Sequence, residues 1–413
     1  IIDNIVPVAF PEITDLIKNG KISIIIEDPR FFLASASNYD LIIMSVPEPS
    51  SATNNRFFTK EFFELCSKSL TKDGIFAFRL PSLENLWLPS TQMRMVAIHN
   101  ALAINFTDII VLPTGNTNII ICSNSPLVHS SEIVAKNFRQ QGIKTNLVST
   151  NFIKYLYAND RYFEIVRFIE KDKYLTNTDN KPICYPTTVN TWLAMFLPSL
   201  AFTDINKEVS LFWKNNAVII AILIIFLLLV IRTLYRRYFI VAIFIFAFVG
   251  MALEMLLLLQ YQAKKGALFE DMGILLMAFM GGLAVGSFCM DKAKESLNKN
   301  FSQKNIGILL FVLFILDTLY TFTIFASIIT SNLTTIGSAL FVCGGLVATA
   351  FIYGVSAQNN NNSKYVATVY TIDLLGGCFG AIITTLMLIP FAGMILSIYV
   401  LIALLLCTLI FIL

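Results

Sequence analysis

The separation of apolar from charged residues constrains the fold of this chain more than any other feature. Most Lys, Arg, Asp and Glu residues lie before residue 216, and long apolar runs fill the remainder. Most of these runs reach the ~20 residues that a helix needs to cross the hydrocarbon core of a bilayer. The runs are Ala217–Ile231, Tyr238–Gln260, Met272–Met290, Asn305–Ile329, Thr335–Ala357, Tyr365–Leu388 and Met394–Leu413. We therefore expect a water-soluble domain over residues 1–205, followed by a multi-pass membrane domain of about seven helices over residues 206–413.

Composition argues against several classes of site. The chain has 30 basic and 27 acidic residues and its first half has no basic stripe, so we expect no nucleic-acid partner. The seven cysteines include no C-x-x-C pair and there are only two histidines, His99 and His129, so we predict no metal site. The chain begins with Ile1 and ends inside an apolar run, and we expect it to be a piece of a longer protein.

Strand and helix patterns alternate in the first half of the chain. Short β-branched runs predict buried strands, amphipathic runs predict helices, and a Pro-Thr-Gly-Asn turn predicts a hairpin. The strands are Ile22–Ile26, Leu41–Val46 and Ile75–Phe78, the helices Thr59–Leu70 and Met93–Ile104, and the hairpin Asp108–Leu112 with Asn118–Cys122. This order is typical of the second half of a doubly wound, Rossmann-like domain, without the first half that would carry a glycine-rich nucleotide loop.

Polar residues follow the first two predicted strands, where such sheets bind their ligands. Asp28, Pro29 and Arg30 follow the first strand, and the run from Ser45 to Ser51, which includes Glu48 between two prolines, follows the second. We predict a ligand site at this edge of the sheet. The alternatives are that Asp28 only initiates a turn and that Glu48 is only a solvated loop residue.

The sequence resembles spermidine synthase in three segments. Tyr39–Ser51 followed by Phe57–Phe63 carries the main likeness, more narrowly to the large membrane-embedded bacterial relatives of that enzyme. Glu27–Phe32 is similar to the segment whose Asp holds the adenine amino group, a role that would fall on Asp28. Asn177–Asp179 resembles a motif near the end of the synthase domain of the membrane relatives. The likeness covers residues 15–205 and implies a fold of the class I methyltransferase type.

The resemblance implies aminopropyl transfer. A diamine attacks the methylene beside the sulfonium of decarboxylated S-adenosylmethionine, which is a co-substrate and not a permanently bound cofactor, and no metal is needed. The protein orients both substrates and deprotonates the attacking amine. The two acids that the family places in this loop correspond to Ser45 and Glu48, and a serine hydroxyl is not a carboxylate at neutral pH. Arg79 stands where the soluble enzymes carry a Gln. Together with Asp179, Glu48 and Arg79 are the expected substrate-binding residues.

Three acids lie inside the apolar runs, namely Glu254, Asp317 and Asp373. Ionisable groups inside a membrane are costly, so each is a candidate functional residue, the alternative being a helix-end or interhelical hydrogen bond. Gly282 with Gly286, and another such pair at residues 376 and 380, have the spacing that lets helices approach closely.

Three functions fit these observations. The leading one is a membrane-bound aminopropyltransferase of polyamine biosynthesis, acting on an amine and a nucleoside. The others are a ligand-binding domain fused to a polyamine transporter or sensor, and an S-adenosylmethionine-dependent methyltransferase. We expect the protein to lie in the bacterial plasma membrane and to have the lipid bilayer as a partner. A homo-oligomer is compatible with the sequence. The distribution of basic residues predicts that the soluble domain lies outside the cytoplasm, whereas the nucleoside donor is made in the cytosol. The sequence therefore does not decide on which side of the membrane the soluble domain lies.

Overall fold

A computed structural model describes most of the chain as an α/β unit followed by a bundle of long helices. The described residues are 11–82, 88–142, 145–171, 176–188, 191, 238–266, 269–300, 303–326, 328, 331–356 and 363–412. This order confirms the expected fold class, a truncated Rossmann-like domain before a membrane helix bundle. The predicted domain boundary at residue 205 lies outside the described residues and stays a prediction.

The α/β unit contains short helices around a four-stranded sheet. Its elements are α1 (Pro11–Lys18), α2 (Pro29–Ser35), β1 (Tyr39–Met44), α3 (Ala52–Asn55), a 3-10 turn (Arg56–Phe58), α4 (Lys60–Ser69), β2 (Leu70–Pro81), α5 (Pro89–Ala103), β3 (Asp108–Thr114), β4 (Thr117–Ser123), α6 (Ser131–Gln140), α7 (Thr150–Ala158) and α8 (Asp160–Lys171). The predicted helices and hairpin are therefore confirmed, with ends shifted by a few residues.

The strand order in the sheet is β1-β2-β4-β3. β1 runs parallel to β2, while β4 pairs antiparallel with both β2 and β3. One face of the sheet is covered by α4 and α5 and forms the core, in which Phe58, Phe63, Phe76 and Phe78 are buried to within 2% exposure and their rings contact one another. This packing fixes the carboxyl ends of β1 and β2, where the predicted site lies.

Two expectations about the first strands are wrong. Ile22–Ile26 forms no strand, and the side chain of Ile26 is 87% exposed. β1 does form, but Leu41 and Ile43 on its outer face are 54% and 70% exposed, so it is not buried on both sides. β1 hydrogen-bonds to β2 alone among the described strands, so it is an edge strand, and residues 22–26 do not add to the sheet at its free edge.

The second unit is a bundle of long apolar helices. They are α9 (Tyr238–Lys265), α10 (Phe269–Asn300), α11 (Gln303–Phe325), α12 (Leu333–Ser356), α13 (Ser363–Ile383), a π-helical segment (Thr384–Ala392) and α14 (Met394–Ile412). Within the described residues five helices, α9 to α13, are long and apolar enough to cross a membrane, and α14 is shorter. The first predicted run, Ala217–Ile231, lies outside the described residues.

The glycine pairs lie where two helix pairs approach most closely. Gly282 and Gly286 on α10 face the backbone of α12, and a Cβ atom on Gly286 would overlap the carbonyl oxygen of Gly345. Gly376 and Gly380 on α13 face carbonyl oxygens of α9 in the same way. The predicted close packing is therefore confirmed, and it makes a compact bundle rather than a set of separate spans.

Candidate functional site

Glu48 lies on the loop that follows β1 and is fixed in place by Arg94 of α5. Its Oε2 accepts a hydrogen bond of 2.9 Å from the Arg94 guanidinium, whose side chain is only 4% exposed. Arg94 also donates to the Thr188 hydroxyl and to the carbonyl of Pro81 at the end of β2. The Glu48 side chain remains 38% exposed, and among the described residues its Oε1 accepts no hydrogen bond. One carboxylate oxygen is thus oriented by the protein and the other is available to a ligand.

Ser45 and Arg79 share the exposed face of the sheet next to this loop. Met44 of β1 is paired with Phe78 of β2, and both are buried. Because side chains alternate along a strand, the residues that follow, Ser45 and Arg79, both lie on the opposite, exposed face. The position predicted for a general base therefore holds a hydroxyl, with a guanidinium on the neighbouring strand.

Asp28 caps α2, with Pro29 at the first helical position. Its Oδ1 accepts from the backbone N–H of Arg30 at 3.0 Å, which satisfies one free donor of the helix N-terminus. Both of its oxygens also accept from the guanidinium of Arg56, at 2.7 and 3.0 Å. Burial lowers the pKa of Arg56, and the hydrogen bond and charge of Asp28 act in the opposite direction. The carboxylate of Asp28, which is predicted to hold adenine, therefore forms a bidentate ion pair with Arg56.

Asp179 makes a second ion pair of the same kind with Arg30. Its two oxygens lie 2.8 and 2.7 Å from the Arg30 guanidinium, and Oδ1 also accepts from the Thr59 hydroxyl. The backbone N–H of Asp179 donates to Glu61. Burial, and secondly the charge of Asp179, raise the pKa of Glu61. Arg30, at 7% exposure, is thus the centre of a network that joins α2, α4 and the segment around residue 179.

The two ion pairs lie against the end of the membrane helix α9. Arg30 donates to the carbonyl of Ala263 at 3.0 Å, in the last turn of α9, where helix carbonyls lack partners within the helix. Gly266 follows with a φ of +94°, and a Cβ at this position would lie 2.5 Å from the carboxylate of Asp28 and 2.9 Å from Arg56. A residue with a side chain would be strained at this φ and would displace Asp28 or Arg56, so the Asp28–Arg56 pair is part of the contact between the two units.

Two further contacts hold the units together. The ammonium of Lys265 lies 4.8 Å from the centre of the Phe31 ring, a cation–π geometry. At the start of α14 the backbone N–H of Met394 donates to the carbonyl of Asn180, next to Asp179. The α/β unit therefore contacts the end of α9 and the start of α14, which lie on one side of the bundle.

The three acids of the membrane half fall into two places. Glu254 on α9 and Asp317 on α11 are both 4% exposed, and both lie within electrostatic reach of the Cys343 thiol on α12. Asp373 is partly exposed on α13, a helix that packs mainly on α9. The structure thus brings two of the three predicted acids together and leaves the third apart.

The resemblance to spermidine synthase did not identify the buried arginines as part of the site. Arg30, Arg56 and Arg94 each hold one of the predicted acids, namely Asp179, Asp28 and Glu48 in that order. A signal was present in the sequence, because Arg30 and Arg56 are each followed by two phenylalanines. Arginines within such apolar runs are often buried and paired.

Comparison with known families assigns the first unit. Residues 6–131 match the family model of the spermine/spermidine synthase domain. The chain contains a spermidine-synthase-type domain. No curated protein matches the chain. The synthase domain includes Asp28, Ser45, Glu48 and Arg79, while Asp179 and the helix bundle follow it. The match confirms the resemblance and supports a transferase-like fold, and the roles of the single residues remain predictions.

Proposed function

We propose that this protein is a membrane-attached transferase of the spermidine synthase type. It would move an aminopropyl group from decarboxylated S-adenosylmethionine to an amine, a reaction of polyamine biosynthesis. The observation that carries the proposal is the position of Glu48 at the carboxyl end of β1, inside the matched synthase domain. Ligands of doubly wound sheets bind at this end.

The proposed reaction needs one base and two oriented substrates. The lone pair of the acceptor amine attacks the methylene next to the sulfonium, the carbon–sulfur bond breaks with its electrons going to sulfur, and methylthioadenosine leaves. The proton of the new ammonium passes to Glu48 through its available oxygen, Oε1. Arg94 holds the other oxygen at 2.9 Å, so the carboxylate is oriented before the amine arrives. Ser45 can position the amine with its hydroxyl but cannot be the base.

The charge around Glu48 favours a particular acceptor. Arg79 is exposed on the adjoining strand, whereas Arg94 is buried and already paired with Glu48. The exposed guanidinium of Arg79 repels a simple diamine but pairs well with a carboxylate or phosphate. We therefore propose an acceptor that carries an anionic group beside its amine.

The test is product analysis with full-length protein in lipid nanodiscs. Decarboxylated S-adenosylmethionine is supplied with simple diamines or with amino acids, and products are identified by mass spectrometry. Glu48→Gln should lower kcat by about 100- to 10,000-fold, the usual contribution of a positioned base. Glu64→Gln, a change of an exposed acid on α4, is the matched control and should leave the rate unchanged. Donor binding without any product from either acceptor class would contradict the proposal.

The same experiment separates aminopropyl from methyl transfer. If S-adenosylmethionine is the donor and S-adenosylhomocysteine the product, the attacked carbon is the methyl group and the protein is a methyltransferase. Methylthioadenosine as the product supports the aminopropyl reaction.

A second function, of a different class, is supported by the ion pairs. Asp28 and Asp179, two of the predicted ligand-binding acids, are both held by buried arginines at the contact with the membrane helices. In this alternative the synthase domain binds a ligand without turnover and transmits its occupancy to a transporter or sensor in the membrane.

The distribution of basic residues also favours this alternative. The α/β unit contacts the bundle at the end of α9, where Lys264 and Lys265 lie. The opposite ends of the helices carry more basic residues, namely Lys292, Lys294, Lys299, Lys304 and Lys364. Connections rich in Lys and Arg face the cytoplasm. The synthase domain is then on the outer side, away from the cytosolic supply of its donor.

Topology can be measured with an epitope inserted at the exposed turn after α6, at Gln141–Gly142. Antibody binding to intact spheroplasts would place the domain outside and favour the ligand-binding function. Binding only after permeabilisation would place it in the cytoplasm and favour the transferase. An epitope in the connection between α13 and α14 should give the same result, since that connection contacts the same unit.

A further inference from the structure

Asp317 is an acid near the middle of a membrane span, and among the described residues the Cys343 thiol is the donor that lies beside its carboxyl group. It lies on α11, whose candidate span runs from Asn305 to Phe325. Its side chain is 4% exposed, and neither oxygen receives a hydrogen bond among the described residues. One turn further along the same face, the hydroxyl of Thr321 is also buried and without a partner in the described part of the chain. These polar atoms point to a ligand that the protein itself does not supply.

Glu254 approaches the same place from α9. It is 4% exposed and lies near the middle of the span Ile240–Lys265. Gly250, one turn before it, accepts a hydrogen bond from the Cys343 thiol of α12. That thiol lies beside Asp317 and within electrostatic reach of Glu254. The Cys343 thiol is a weak, uncharged donor that also lies within hydrogen-bonding distance of the Gly250 carbonyl, so it does not neutralise either acid.

The described charges around the two acids offer no cation to pair with them. The lysines of the described bundle lie at the ends of α9, α10, α11 and α13, and α12 and α14 contain no charged residue. Ionised carboxylates without partners are strongly disfavoured in such surroundings. The described residues contain no group of His, Cys, Asp and Glu suited to a metal ion. A proton is the cation that needs no further ligands.

We propose that Glu254 and Asp317, joined through Cys343, form an exchangeable proton site inside the membrane bundle. A buried carboxyl group with no cation beside it is most stable with its proton bound, and the Cys343 thiol lies within electrostatic reach of both groups. The site takes up a proton as H⁺ from water and returns it to water, with no other bond formed or broken. Proton uptake neutralises the carboxylates buried on α9 and α11, so the packing of these helices responds to protonation. The proposal does not depend on the activity of the synthase domain.

Infrared difference spectroscopy of full-length protein in nanodiscs tests this site directly. The carbonyl stretch of protonated carboxyl groups is recorded while pH is raised in small steps. We expect a band that disappears on deprotonation, is lost in Asp317→Asn, and is shifted or lost in Glu254→Gln. Cys343→Ser should shift the frequency of the band without removing it. Asp373→Asn, which changes the acid on α13, should leave the part of the band that depends on Asp317 in place.

Three results would overturn the proposal. One is a wild-type spectrum with no pH-dependent carboxyl band. Another is a band unchanged in both Asp317→Asn and Glu254→Gln. The third is a band that responds to added sodium or putrescine instead of pH, since this would make the ligand a different cation. Size-exclusion chromatography checks that each variant is folded, and Asp→Asn and Glu→Gln preserve shape so that loss of the band reports on the acid itself.

Discussion

Replacing Arg30 by Ala tests whether the ion-pair network holds the two units together. Arg30 is almost fully buried and donates to Asp179, Thr59 and the carbonyl of Ala263. Its removal leaves Asp179, itself only 14% exposed, without its main partner. It also removes the hydrogen bond that Arg30 donates to the carbonyl of Ala263 in the last turn of α9.

The expected loss follows from the burial of the partner. Breaking a buried ion pair by removing one member costs about 3–5 kcal/mol, because the remaining charge stays desolvated. Replacing both members costs less, so Arg30→Met combined with Asp179→Leu should recover a large part of the loss. By contrast, the exposed pair of Lys68 and Glu64 is 72% and 47% exposed and is worth at most about 0.5 kcal/mol.

The assay is thermal unfolding in detergent, followed by limited proteolysis of the linkage between the two units. Arg30→Ala should lower Tm and expose the residues around Asp179 to protease, the double replacement should do so less, and Lys68→Ala should do neither. If Arg30→Ala and Lys68→Ala lowered Tm equally, the network would be no more than a surface contact and the reasoning would be refuted.

Three further outcomes follow from the structure. Burial, and secondly the charge of Asp179, raise the pKa of Glu61 in the folded protein. The folded state therefore loses stability as pH rises from the unfolded-state pKa of ~4.3 to the higher folded-state pKa. Glu61→Gln should raise Tm at neutral pH and have no effect near pH ~4. Burial acts to raise the pKa of Asp108, but hydrogen bonds from a backbone N–H and from His129 outweigh it, and the pKa of Asp108 is lowered. Asp108→Asn should therefore lower Tm at neutral pH, and the difference in Tm from the wild type should vanish in acid below the folded pKa. Gly286→Leu should separate α10 from α12 and yield aggregated protein on size-exclusion chromatography. A wild-type elution profile would contradict the close packing of α10 against α12 at this glycine.

The elements that the sequence predicted well are those with a strong local signal. Strong apolar periodicity marked α4, and the turn at Gly115 marked the hairpin of β3 and β4. The failure at Ile22–Ile26 has a non-local cause. A β-branched run becomes a strand only if it pairs with a neighbouring strand, and residues 22–26 do not pair with the free edge of β1. Local pattern cannot contain that information.

The site shows a similar limit. Motif spacing placed Glu48 at the correct edge of the sheet, yet it could not show that Arg94 would reach it from α5 across 46 residues. Arg30 and Asp179 are 149 residues apart, and their pairing depends on the packing of α2 against α4. Likewise, the sequence identified Glu254 and Asp317 one at a time, and only the helix packing brings both close to Cys343.

The helix α9 connects the two sites described above. Its end at Gly266 lies against the Asp28–Arg56 pair, and Glu254 lies twelve residues earlier, about 18 Å away along a helix that rises 1.5 Å per residue. A nucleoside that competes for Asp28 must weaken its pairing with Arg56 and so disturb the contact with Gly266. If this disturbance extends along α9 to Glu254 and changes its proton affinity, a bound proton must alter nucleoside affinity by the same factor, because thermodynamic coupling is reciprocal. Methylthioadenosine binding, measured by calorimetry, should depend on pH in the wild type and lose that dependence in Asp317→Asn. An identical pH dependence in both proteins would show that α9 does not carry this coupling.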